Sequence, residues 1–151
     1  MARFAQVLSL LIAFCACAVS AAPIAPAQAA AALQCDIARV QIVASVNRTV
    51  AEVNDVIQGA GADVATAAAA STAAAALQSA QAGIDQIAAA LLAGKAPPQA
   101  SRDIVEQGFA DAGVALDSIV STDPAILAQV TEAKDDLESA ASAGELVIAN
   151  C

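Results

Sequence analysis

The sequence predicts an all-α protein, a four-helix up-down-up-down bundle closed by one terminal disulfide. Three observations point there. Apolar residues recur at alternating steps of three and four in the helical segments. Glycine and proline turns near positions 59–61, 94–98 and 121–124 separate those segments. Two cysteines, Cys35 and Cys151, flank the helical region. With four helices running alternately up and down, the first begins where the fourth ends, so the two cysteines can meet. With three helices they would lie at opposite ends.

Residues 1–21 read as a cleaved secretory signal. Arg3 supplies the positive charge, residues 4–19 form a short apolar run, and Val19 and Ala21 place small or β-branched groups at the cleavage site. A spanning helix wants about 20 apolar residues, more than this run offers. No integral membrane segment is expected after cleavage. Residues 22–34, with two prolines and no periodicity, read as a flexible lead-in or a short propeptide, and order is expected to begin near Cys35. The helical domain then covers 35–151.

In the first helix Val43, Val46, Val50, Val53 and Ile57 share one face, and Gly59 and Gly61 supply the stop. Asp63 opens the second helix. Its first half is the run "ATAAAASTAAAAL", and alanine is the best helix former. Ile84, Ile87, Leu91 and Leu92 carry the apolar face onward to Gly94. Ser101 is the expected N-cap of the third helix, with Val105, Phe109, Ala112, Leu116 and Ile119 on one stripe. Asp123 caps the fourth, and Pro124 fits its first position, where no amide hydrogen is needed. Ile126, Val130, Ala133, Leu137, Ala140 and Val147 face inward along that helix, to about Ile148.

The signal takes Cys15 and Cys17 with it. In an oxidising compartment the remaining pair, Cys35 and Cys151, reads as one disulfide; two free thiols or an intermolecular link are the alternatives. Loss of Arg3 leaves five basic residues against fifteen acidic ones, a net charge of −10. That surface repels nucleic acid and anionic headgroups, so neither nucleic-acid binding nor cationic lysis is expected.

No enzyme activity, cofactor or metal is expected. The chain has no histidine, tyrosine or tryptophan, and no glycine-rich phosphate loop or calcium-loop spacing. Its densest acidic group is Glu132, Asp135, Asp136 and Glu138, interleaved with Lys134, which reads as a solvated helix face. Asn47-Arg48-Thr49 is an N-glycosylation acceptor, relevant if the chain enters the secretory route.

Phe109 is the only aromatic outside the signal and is read as the one large side chain facing the interior. Close packing is the default for alanine-rich helices. An apolar slot forms instead if longer side chains hold the helices apart, lined by Val46, Val50, Ile84 and Ile87 from the first two helices. Phe109, Leu116, Val130 and Leu137 would line it from the other two.

Two resemblances follow from quoted stretches. "LQCDIARVQIVASVNRT", "AGKAPPQASRDIV" and the terminal "VIANC" resemble a group of small secreted all-helical insect haemolymph proteins, some of them induced by infection. The Ala/Ser/Thr/Val-rich, nearly aromatic-free composition is similar to that of fungal hydrophobic-surface-binding and cell-wall galactomannoproteins. The second resemblance implies lipid or hydrophobic-surface binding, and neither supplies catalytic residues. The expectation is a secreted binding protein for a fatty acid, lipid or hydrophobic surface, with a defence role implied by the first resemblance. The alternative is a structural or interaction protein acting through acidic helix faces.

Overall fold

A computed structural model describes residues 26–151, and it is all-helical. The chain forms α1 (Pro26–Gly59), α2 (Val64–Leu92), α3 (Gln99–Asp117) and α4 (Pro124–Asn150), with no strand among the described residues. The expected signal, residues 1–21, lies outside them. The helical bundle is the unit Ala31–Cys151. Helix α1 starts at Pro26, well before Cys35, so residues 26–34 are helical where irregular chain was expected. Alanine at 27 and 29–32 explains the early start, because its helix propensity needs no periodic apolar face.

The caps follow the sequence at two of three sites. The Asp63 side chain accepts from the Thr66 amide at 3.1 Å and from the Thr66 hydroxyl at 2.7 Å. Asp123 accepts from the Ala125 amide at 2.8 Å, with Pro124 opening α4. Ser101 is not an N-cap. Helix α3 starts at Gln99 after Pro98, and Ser101 is buried in its first turn, donating to Gln86 Oε1 of α2 at 2.8 Å. A hydroxyl with a partner on the neighbouring helix need not serve its own helix end.

The Asp63 cap makes a pH prediction. Hydrogen bonds from Thr66 hold the Asp63 carboxyl below its ordinary range. Its stabilisation is present above the unfolded-state pKa and is lost as pH falls through the lower folded-state value. Asp63→Ala is expected to melt below the parent at neutral pH, and the gap should close in strong acid. Thermal melts across a pH series would show it, and a pH-independent gap would count against the cap.

Residue pairs set which helices touch. Between α1 and α4, Cys35 bonds Cys151, Arg48 reaches Asp136, and Gly59 lies against Ile126. Between α3 and α4, Asp117 pairs with Lys134 and Gly113 faces Leu137. Helices α2 and α3 approach backbone to backbone. A Cβ at Gly108 would lie 2.8 Å from the Ala76 carbonyl oxygen and 2.9 Å from the Ala80 amide nitrogen, and one at Gly83 would lie 2.8 Å from the Ser101 carbonyl oxygen. Backbone faces backbone at both positions, so turning a side chain away cannot relieve the clash.

Gly108→Ala should therefore destabilise. Overpacking costs about 1–3 kcal/mol, offset in part by the roughly 1 kcal/mol that alanine gains over glycine in a helix. Gly144, inside α4 with open space around its would-be Cβ, is the matched control. Gly144→Ala should raise stability by up to about 1 kcal/mol. Urea unfolding of the two variants should move in opposite directions.

The core is built from Val53 and Val56 of α1, Leu77 of α2, Leu116 of α3, and Ile126 and Val130 of α4, with alanines between them. Phe109 corrects an expectation. It is half-buried at the edge of this cluster, and the largest fully buried side chains are Leu77 and Leu116. Gly108, one residue earlier, is the position turned into α2, where the backbones leave no room for a ring.

Candidate functional site

The residues expected to line an apolar slot are part of the packing. Val46 and Leu116 are fully enclosed, Val130 and Leu137 are buried, and Val50 packs against the core with Phe109. Ile84 and Ile87 are half-buried along α2. Two adjacent depressions lie between α1 and α4, and none of these eight side chains lines either one.

The larger depression, about 600 Å³, is an open groove between Gln41, Ser45 and Arg48 of α1 and Asp135, Glu138 and Ser139 of α4. Arg48 Nε bridges to Asp136 at 3.1 Å and its Nη2 donates to Ser45 Oγ at 3.2 Å. Its charge is already matched across the helix pair. The smaller, about 250 Å³, continues toward the disulfide between Ile37 and Leu146, and shares Gln41 and Leu146 with the first. The cleft thus grades from charged to uncharged along its length.

The acidic residues of α1 and α4 crowd each other. Partial burial raises the Glu52 carboxyl above its ordinary range, and the charges of Glu132, Asp55 and Asp136 push it the same way. No group of three such residues has the geometry to hold a metal ion among the described residues. The expected solvated face on α4 is exposed at Glu132, Asp135 and Glu138, while Asp136 turns toward Arg48.

Cys35 and Cys151 form the disulfide, with Cα atoms 5.5 Å apart. Asn47 is exposed on α1, so a glycan there would project into solvent. Thr49, the third residue of the acceptor, is fully buried and donates to the Ser45 carbonyl at 3.0 Å.

A line of exposed apolar residues runs along α1. Leu33, Ile37 and Val40 are 60%, 48% and 57% exposed, and Ala44 extends their line. Steps of four, three and four put them on the side of the helix opposite Cys35, Ala38, Val46 and Val53, which are buried. In this stretch the helix is apolar on both sides. By length and composition Gln28–Gly59 is sufficient to cross a membrane, although one face of it belongs to the bundle core. The inward face expected from the sequence is the valine face, although the spacing of this outer line is equally regular. Leu146, which reaches both depressions, is likewise not among the expected inward residues.

No protein-family model, curated protein or solved structure matches the chain.

Proposed function

We propose that this is a secreted, non-enzymatic helical protein that binds hydrophobic surfaces through side chains on the outside of an up-down-up-down bundle. The observation that carries the reading is the exposed line Leu33, Ile37 and Val40 on the outer face of α1. An ordinary surface helix keeps such positions polar. Covering each of these partly exposed side chains contributes about 1 kcal/mol. The close packing of Val46, Leu116, Val130 and Leu137 favours a surface over an enclosed fatty acid. The signal-like residues 1–21 and the disulfide support an extracellular location. The Cys35–Cys151, Arg48–Asp136 and Gly59–Ile126 pairs run in opposite directions along α1 and α4, which supports the alternating topology.

A second reading, a protein partner docking on acidic faces, draws on the crowded carboxylates around Glu52. Salt separates the two. The protein is expected to deplete from solution onto octyl-coated silica beads, with uptake undiminished at 1 M NaCl, where charge attraction is screened to a range of about 3 Å. Absence of uptake would remove the hydrophobic-surface reading. A lipid-mass adduct in native mass spectra of protein purified without detergent would replace it with an enclosed ligand.

A further inference from the structure

Apolar exposure and charge are segregated along the bundle. In the alternating topology, the α1–α2 and α3–α4 turns share one end, and the disulfide and the α2–α3 turn share the other. Pairing of Gly108 with Ala76 and Ala80, and of Gly113 with Leu137, sets the levels of α2 and α3 against α4. The disulfide half then holds residues 31–47, 76–111 and 139–151, and the turn half holds 48–75 and 112–138.

Twelve large apolar side chains are exposed among the described residues, and eight of them are in the disulfide half. They come from every side: Ile37 and Val40 on α1, Leu92 on α2, Ile104 on α3, Leu146 and Ile148 on α4. Charge runs the other way. The disulfide half has six acidic and three basic residues, a net −3. The turn half has nine acidic and two basic, a net −7.

We propose that the protein meets an uncharged apolar–water interface end-on, with the disulfide end inward and the acidic end in water. This rests on the hydrophobic-surface reading above and adds the orientation and the nature of the surface. An uncharged surface follows from the charge balance, because even the disulfide half is net negative and an anionic surface would repel the whole molecule. The apolar residues sit on all four helices around one end. A second copy or another rigid protein docking on one side would cover only some of them, whereas a fluid interface into which the end dips covers all. With the opposite end far more acidic, burying the turns would cost more than burying the disulfide end.

The test uses hexadecane–water interfaces and two matched double variants. Ile37→Gln with Val40→Gln alters the disulfide half; Val114→Gln with Val120→Gln alters the turn half. All four positions are exposed, and circular dichroism melts confirm that each variant remains folded. The first variant is expected to need about tenfold more protein to reach the same interfacial tension, and the second to match the parent. Neutron reflectivity of the parent layer should give a thickness of about 40 Å, the length of a 27-residue helix.

If the parent does not lower the tension at all, the surface reading and this inference both fail. If both variants lose equally, or the turn-half variant loses more, the orientation fails and surface binding stands. A layer only about 10–20 Å thick, one or two helix diameters, means the protein lies flat or has opened, and overturns the end-on arrangement. A parent dimer in sedimentation that Ile37→Gln with Val40→Gln converts to monomer would assign the end to self-association instead.

Discussion

Cys35→Ser is expected to lower the unfolding free energy by about 2–5 kcal/mol. The bond joins residues 116 positions apart, enclosing most of the described chain. On the chain-entropy account a loop of about 100 residues gives about 4.7 kcal/mol. Local packing offers little to replace it. The buried positions of α1 and α4 nearest the bond are Ala38, Ala140 and Ala143, which bury far less area than the valines and isoleucines at the other end. Urea titration of the parent with reductant should coincide with that of Cys35→Ser and of Cys151→Ser. Hydrogen exchange should show the extra opening concentrated in the first turns of α1 and the last turns of α4. A variant as stable as the oxidised parent would mean that the bond contributes nothing to the fold.

Leu77→Ala should be comparably damaging, at about 3–5 kcal/mol. Leu77 is fully buried in α2, and its cluster includes Ala70, Ala73, Ala112 and Leu116. The cost of such a deletion depends on how far the surroundings relax into the space. Alanines have no rotamers with which to fill it, and the α2–α3 backbones are already in contact at Gly108. The cavity should persist, placing the loss in the upper part of the range. Against a total stability of about 5–15 kcal/mol for a domain, this is a large fraction. Val114→Ala, at an exposed position on α3, should change stability by no more than about 0.5 kcal/mol. Chemical denaturation of the pair checks both, and a small loss at Leu77 would imply that the helices can close in.

The helical class, the turns and the disulfide pair were legible because each rests on local chemistry. Asp63 and Asp123 cap where their spacing predicts, and Gly94, with φ +67°, closes α2. Misreadings arose where one helix decides what another can hold. Ser101 looked like a cap because its partner, Gln86, is fifteen residues away in sequence. Phe109 packs against the core cluster as its stripe predicts, but only half-buried, because Gly108 takes the position closest to α2. Helix α1 begins before its apolar periodicity does, because alanine forms helix without an apolar face. The outer line of α1 has an equally readable spacing; burial separates it from Val46 and Val53 but not from Val43, which is 47% exposed where an inward position was expected.

The position of Cys151 has a consequence for biosynthesis. It follows all four helices, whereas Cys35 precedes nearly the whole bundle. During synthesis at about 5–20 residues per second, the Cys35 thiol is made on the order of ten seconds before its partner. Any packing of the earlier helices in that interval takes place without the cross-link. The bond can close only after all four helices have been made, and a mispairing that traps Cys35 early would leave the chain unable to close.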